Sequence, residues 1–274
     1  MNMDDSILLS HPGPQDIVKL EQLWISTFGD PPELIEAFFE AFPPELHGWI
    51  VKRGDELLSS AYLLHGNLLI AKNVLRPAAY VYAVATPEAY RGKGYGGMLM
   101  RHFAELASER EFLLYTRPAS RSLFHWYADV MQTVPSSIMR PVTVFKEPCS
   151  PLLQVARITP EQYAESRERL LQAVEHIALS HAFLQTQSFF SSLEGGGLFS
   201  VADGCCTCEL QDEILNIKEL LIASDMKSAA IQTLLNHFSV SQAKLLVSSD
   251  EGEPCVAYRF DEDLSQVNWG MLLD

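Results

Sequence analysis

The chain has 274 residues, near two ordinary domains or one large one, and 47% of them are apolar, ample for a core. Its formal charge is −15 with few basic clusters, which argues against nucleic acid, because phosphate neutralisation needs Lys and Arg. A cationic acceptor such as an amine is compatible with that charge, although an acidic surface also simply keeps a protein in solution.

The N-terminus, Met1-Asn2-Met3-Asp4-Asp5, is acidic and has no h-region, so it does not read as a signal peptide. No apolar run approaches membrane-spanning length, and five cysteines, an odd number, fit a reducing compartment; a cytoplasmic protein is expected. Asp16–Phe28 reads as a helix with Ile17, Leu20, Trp24 and Phe28 on one face. Asp30-Pro31-Pro32-Glu33 starts a second, with Asp30 at the N-cap and Glu33 at the capping-box position; Ile35, Phe38, Phe39 and Phe42 form its apolar stripe. Such an aromatic stripe at helical spacing reads first as core.

Gly48–Lys52 and Glu56–Leu64 read as a hairpin around Arg53-Gly54-Asp55, His65-Gly66-Asn67 as a second turn, and Leu68–Lys72 as a further strand. Tyr80–Ala85 is a β-run, followed by Thr86-Pro87-Glu88-Ala89-Tyr90 and then Arg91-Gly92-Lys93-Gly94-Tyr95-Gly96-Gly97. Leu99, Phe103 and Leu106 then recur at helical spacing. Glycines just before a helix leave its first N–H groups bare, and those groups, the helix dipole and two cationic side chains make a seat for an anion. With no Cβ in the way, a phosphate can touch the backbone.

No Walker string G-x-x-x-x-G-K-[ST] is present. Gly92, Gly94 and Gly97 fit the dinucleotide pattern G-x-G-x-x-G, but several residues separate them from the strand. The next strand, Phe112–Thr116, ends in Arg117 where that motif needs an acid. Val84-Ala85-Thr86 followed by Tyr90-Arg91-Gly92-Lys93-Gly94-Tyr95-Gly96 resembles motif A of the GNAT (Gcn5-related) N-acetyltransferases, with Arg91, Gly94 and Gly96 in the family pattern. The resemblance implies an α/β mixed-sheet fold and a loop, Arg91, Gly92, Lys93, Gly94, Tyr95, Gly96 and Gly97, that grips the pyrophosphate of acetyl-CoA. It also implies a strand end, Ala83, Val84 and Ala85, whose main chain lines the pantetheine arm, and no metal. By the same resemblance the two early helices flank an acceptor groove, where Trp24 and the phenylalanines would touch substrate.

Pro118-Ala119-Ser120-Arg121 leads into a short helix, Ser122–Ala128. In GNAT proteins this segment often carries a general-acid Tyr, and Tyr127 occupies the matching place, although Val130-Met131-Gln132 replaces the family's usual Gly-Phe ending. A phenol with a pKa of about 10 stays protonated at neutral pH and can donate to a departing thiolate. The neighbouring His125 reads as structural. Ser136–Val144 is expected to supply the last strands of this unit, and Glu147-Pro148-Cys149-Ser150-Pro151 is a proline-bounded linker. The boundary therefore falls between a catalytic domain, 1–147, and a second domain, 148–274.

Thr159-Pro160-Glu161-Gln162 is another capping box, opening a helix through Tyr163, Leu170, Leu171 and Val174. Phe183–Phe190 is apolar; Leu198–Ala202 and Cys205–Leu210 form a hairpin about Asp203-Gly204. Ile214–Ile222 is a strand, Asp225 caps a helix with Ile231, Leu234, Leu235 and Phe238, and Lys244–Ser248 is a strand. The order repeats the first half and resembles a second, degenerate GNAT-like unit. Its helix start has no glycine and carries Asp225, so CoA binding is not expected there. Cys205 and Cys208 form a C-x-x-C with no second ligand pair, so they read as buried residues.

The expected reaction is acetyl transfer from acetyl-CoA to a primary amine of a small molecule or peptide, by a monomer or homodimer. Asp30, Glu40 and His65 are base candidates by location only, and the resemblance to tandem GNAT enzymes, some of which use their C-terminal carboxylate, adds that of Asp274. A non-catalytic acyl-CoA-binding module and a nucleotide-dependent oxidoreductase are the other classes left open.

Overall fold

The computed structural model describes residues 6–70, 73–148, 152–260, 264, 267–270 and 273. In chain order the elements are β1 (Ile7–Ser10), α1 (Ile17–Phe28), α2 (Pro32–Ala41), α3 (Pro44–His47), β2 (Gly48–Arg53), β3 (Glu56–Ile70), β4 (Asn73–Ala85), α4 (Tyr95–Glu109), β5 (Leu113–Thr116) and α5 (Arg121–Met131). There follow β6 (Val134–Phe145), β7 (Val155–Arg157), α6 (Pro160–Leu170), β8 (His176–Ala178), α7 (His181–Leu193), β9 (Gly197–Val201), β10 (Gly204–Gln211), β11 (Ile214–Leu221), α8 (Lys227–His237), β12 (Gln242–Ser248) and β13 (Glu253–Arg259). The chain divides into two compact units, one of Met1–Leu68, Val74–Ser136 and Cys255–Ser265, the other of Leu69–Asn73, Ser137–Pro254 and Gln266–Asp274. No helix among the described residues is long and apolar enough to cross a membrane.

In the first unit the strands run β1-β2-β3-β4-β5-β13. β1, β2 and β3 pair antiparallel, β4 and β5 pair parallel from Ala78↔Leu113 to Val81↔Thr116, and β13 lies antiparallel to β5. The periodicity of the helices is used as their sequence implies. α1 buries Leu20, Leu23 and Trp24, and α2 buries Ile35 and Phe38. α4 buries Leu99, Met100, Phe103 and Ala107 in a cluster with Val51, Leu58, Val81, Leu114, Tyr127 and Met131.

Several expectations shift. The strand expected at Tyr80–Ala85 begins at Asn73. His65-Gly66-Asn67 is not a turn: β3 continues to Ile70, and His65 and Asn67 are exposed while Gly66 lies on the face of buried Leu64 and Leu68, as one-sided strands allow. Leu68–Ile70 therefore belongs to β3, while Ala71 and Lys72 lie outside the described residues. Asp30 does not cap α2. The N-cap is Pro31, and the Asp30 carboxylate instead accepts the Trp24 indole N–H at 2.7 Å. Ser136–Val144 does not supply the strand beside β5; that place is taken by β13, with Ala257 opposite Thr116. β6 pairs with β12 in the second unit, Phe145 opposite Gln242 through Met139 opposite Ser248.

In the second unit the strand order is β6-β12-β11-β10-β9-β7. β11 and β12 pair parallel, Ile214↔Gln242 to Ile217↔Leu245, with α8 between them in sequence, so β11-α8-β12 repeats β4-α4-β5. α8 buries Ala230, Ile231, Leu234 and Leu235 against Cys206, Cys208, Leu215, Ile217 and Ala243. The capping box at α6 forms as read: the Gln162 N–H donates to Thr159 Oγ1 at 3.3 Å, and the Thr159 N–H donates to Gln162 Oε1 at 3.0 Å. Asp225 makes no cap bond; it sits in a 3-10 turn, Ser224–Met226, and Met226 is the N-cap of α8. In the expected linker, Cys149, Ser150 and Pro151 lie outside the described residues, as do Met1–Asp5 and Asp274.

Candidate active site

β4 leads through a short 3-10 turn, Glu88–Tyr90, into the glycine loop and α4. Gly92 has φ +75° and Gly94 φ +88°, backbone that an L side chain adopts only at a cost of about 1–2 kcal/mol. No atom lies within 4 Å of where a Cβ would stand on either, so the glycines are there for conformation and for approach from outside. Gly94 is the N-cap of α4 and offers no side-chain cap. The first helical bond runs from the Met98 N–H to the Gly94 carbonyl at 3.0 Å. The amides of Tyr95, Gly96 and Gly97 thus precede the helical ladder and point out of the positive end of the dipole. Arg91, Gly92, Lys93 and Gly94 are exposed; Arg91 Nε donates to the Thr86 carbonyl at 3.1 Å, and Lys93 stands 5.1 Å from the centre of the Tyr90 ring. Gly96 and Gly97 serve packing as well. A Cβ on Gly96 would stand 3.6 Å from the Trp126 ring, and one on Gly97 3.5 Å from Val130, both on α5.

The strand end is built to part from its neighbour. Pairing with β5 stops at Val81↔Thr116, while β4 continues to Ala85. Ala83 takes φ +47°, rare for a residue with a Cβ, which breaks the pleat between Tyr82 and Val84. Beyond it the chain is pinned by buried Ser59, whose hydroxyl donates to the Ala85 carbonyl at 2.9 Å and lies 2.9 Å from Thr86 Oγ1. Tyr127 comes to the point of parting. It is 5% exposed and shares a hydrogen bond with the side chain of Thr116, whose hydroxyl in turn donates to the Val81 carbonyl at 2.9 Å. Burial, with the Thr116 bond opposing, pushes the phenol up to about 12, so it holds its proton across the working range.

Ser59, Thr116 and Trp126 were not singled out by the sequence. The available signal was a polar residue inside an apolar β-run for Ser59, and the residue at a strand end for Thr116. Trp24, Phe38 and Phe42 are core, as an aromatic stripe implies, whereas Phe28 is 43% exposed and Phe39 half-buried. Of the base candidates, Asp30 is engaged by Trp24, and Glu40 and His65 are exposed. In the second unit Cys205 lies beside Glu219 and Tyr163, while Cys206 and Cys208 pack under α8; burial drives the Cys205 thiol up to about 12, the wrong direction for a redox pair.

Residues 11–127 match the sequence profile described as an acetyltransferase (GNAT) domain. Among solved structures, a GCN5-related N-acetyltransferase from Kribbella flavida superposes with a TM-score of 0.70 at 15% identity, covering 94% of this chain and 71% of that one. A probable N-acyltransferase from Enterococcus faecalis V583 gives 0.73 at 14%, covering 93% and 73%. A tandem GNAT protein from the clavulanic acid biosynthesis pathway gives 0.55 at 15%, covering 92% and 97%. No curated protein matches the chain in sequence. At such identities the solved structures establish the fold, and the profile match establishes the domain. Residues 11–127 thus match a GNAT acetyltransferase domain, within a fold that the solved GNAT structures share over nearly the whole chain.

Proposed function

We propose that the chain moves an acetyl group from acetyl-CoA to a primary amine of a small molecule or peptide by direct attack. The observation that carries this reading is the position of Tyr127 on α5, hydrogen-bonded to Thr116 at the point where β5 parts from β4, the strand that leads into the glycine loop. In this scheme the amides of Tyr95–Gly97, with Arg91 and Lys93, hold the pyrophosphate. The main chain at Ala83–Ala85 lines the pantetheine arm, and its N–H groups polarise the thioester carbonyl. The neutral amine attacks the carbonyl carbon and loses its proton to water. The tetrahedral intermediate then collapses, the C–S bond breaks, and the leaving thiolate takes a proton from Tyr127. The second unit lacks the glycine loop and serves as a degenerate GNAT-like partner without a CoA site of its own. Cytoplasmic residence and a monomeric or homodimeric state complete the proposal.

A second reading, an acyl-CoA-binding module without transfer, is favoured by the near-complete burial of Tyr127 in the core cluster. Titration calorimetry with acetyl-CoA, with Gly94→Glu as control, tests the loop. An amine panel assayed for released thiol and N-acetyl product separates the two readings. Binding with no product from any amine supports the module, and no binding to the wild type removes both.

A further inference from the structure

Resting on the reading that the glycine loop holds the pyrophosphate of acetyl-CoA, we infer that the β2–β3 hairpin sets the affinity of that loop. Arg53 and Glu56 are positioning residues: they hold the loop in its binding shape through Tyr95 and Tyr90, without touching the cofactor themselves.

The middle of the loop is bare. Arg91, Gly92, Lys93 and Gly94 are exposed in succession, with both glycines in left-handed backbone. Glycine loses more conformational freedom on ordering than any other residue, so such a run is costly to hold in one shape. Its own backbone does little to hold it: the Lys93 N–H reaches the Tyr90 carbonyl only at 3.4 Å, beyond the ordinary range of a hydrogen bond. The run hangs instead between two tyrosines, Tyr90 before it and Tyr95 after it. Their rings stand 6.2 Å apart, centre to centre, and both pack against the core cluster of the first unit.

The hydroxyls of these two tyrosines are taken by one cross-strand pair. Arg53 and Glu56 stand opposite each other in the register of β2 and β3, at the last position before the two-residue turn Gly54-Asp55. Arg53 Nη2 donates to the Tyr95 hydroxyl at 2.9 Å, and the Tyr90 hydroxyl donates to a Glu56 carboxylate oxygen. Both bonds are charge-assisted, the stronger kind. A two-residue turn leaves the hairpin end little freedom, and Lys19 on α1 fixes it further, its ammonium donating to the Asp55 carbonyl at 2.6 Å. A fixed hairpin end thus grips both ends of a loose loop. Lys93 is placed by the same device, because its Nζ stands 5.1 Å from the centre of the Tyr90 ring that Glu56 anchors. A loop set in advance spares its ligand the cost of ordering it, so affinity rises without a new contact. Bonds this near the surface add little to global stability, so their loss is read in the loop and not in the fold.

The test titrates acetyl-CoA into the full chain by calorimetry, beside thermal unfolding and limited cleavage by trypsin after Arg91 and Lys93, the exposed basic residues of the loop. Arg53→Ala and Glu56→Ala are each expected to weaken acetyl-CoA binding about three- to tenfold and to speed cleavage in the loop. Tm should stay within about 2 °C of wild type, and kcat at saturating acetyl-CoA should not change. Glu56→Gln keeps an acceptor for Tyr90 and Arg53→Lys keeps a donor for Tyr95, so each should recover most of the affinity. Arg53→Ala combined with Tyr95→Phe should cost no more than either alone. Unchanged affinity in both alanine variants overturns the inference, as do additive losses in that pair. So does a loss in Arg53→Ala that acetyl-3′-dephospho-CoA does not show, because Arg53 then touches the cofactor. Absence of acetyl-CoA binding to the wild type instead removes the cofactor reading, and the trypsin rates alone then decide whether the hairpin holds the loop.

Discussion

Tyr127→Phe removes one hydroxyl from the point where β4 and β5 separate, and its consequences divide between stability and rate. The ring stays, so its packing against Trp126, 4.8 Å away centre to centre, is kept. Thr116 also keeps its bond to the Val81 carbonyl, so no buried group is stranded. The lost hydrogen bond is worth about 1 kcal/mol, which lowers Tm by roughly 2–4 °C for a chain of this size. The loss in rate is expected to be far larger. A positioned general acid contributes about 10²–10⁴-fold, and nothing else within the Thr116–Val81 network carries an ionisable proton. We expect kcat to fall by about 10²-fold or more with the acetyl-CoA dissociation constant within twofold of wild type. Stopped assays of thiol release, paired with calorimetry, measure both. Because the phenol sits at about 12, the acid should impose no fall in kcat below roughly pH 10. A kcat within threefold of wild type refutes the assignment and returns Tyr127 to the core.

Gly94→Ala places a methyl in open space but at φ +88°, so it strains without clashing. A penalty of about 1–2 kcal/mol is expected either as lower Tm or, if the loop relaxes, as roughly tenfold weaker acetyl-CoA binding; neither changing refutes the cradle geometry. In the second unit, Glu219 accepts from Arg167 Nε at 3.1 Å and from the Tyr163 hydroxyl at 2.6 Å, with Arg167 1% exposed. Glu219→Gln leaves the buried guanidinium only the more distant, part-exposed Glu168 at 3.8 Å as counter-charge and should cost about 3 kcal/mol in urea unfolding, whereas Arg167→Met with Glu219→Leu should recover most of it. Burial holds His47 and His102 below the ordinary imidazole value, with Glu105 and Glu109 opposing for His102. Their folded forms bind protons less readily than the unfolded chain. Their contribution is therefore full above about pH 6.5 and is lost as pH falls from there through the lower folded values. The urea midpoint should drop between pH 7.5 and 5.5, and the drop should shrink in His102→Gln with His47→Gln; an unchanged drop refutes the assignment.

What the sequence made legible was whatever is decided within a dozen residues. The glycine loop with its helix, the capping box at Thr159, the hairpin at Arg53-Gly54-Asp55 and the two amphipathic stripes are each local bargains between backbone conformation and burial. Three features were not local. β13 joins β5 across some 140 residues of sequence, and no pattern within Glu253–Arg259 names its partner. His65-Gly66-Asn67 carries turn residues, yet the strand runs through them because the flanking leucines find a buried face. The double proline after Asp30 moved the start of α2 by one residue, freeing the carboxylate for Trp24. At the candidate site the same division holds. The loop was read from glycines spaced between a strand and a helix, while Thr116 and Ser59 acquire their meaning only from the packing that brings them to Val81 and Ala85.

The repeated β-α-β element turns this into a statement about stoichiometry. β4-α4-β5 and β11-α8-β12 present the same parallel pair and the same bridging helix, so each offers an anion the N-terminus of a helix. What differs is the approach. Before α4 stand two glycines in left-handed backbone with open space beside them. Before α8 stands Ser224–Asp225–Met226 in a 3-10 turn, with no glycine and with a carboxylate in that turn. An acid there is favourable to the helix by a few tenths to about 1 kcal/mol, and it repels a pyrophosphate from the same end. One acetyl-CoA per chain is therefore expected in calorimetry, lost entirely in Gly94→Glu. Two equivalents, or one that survives that substitution, would place a cofactor in the second unit and refute the view that the loop, and not the helix end alone, makes the site.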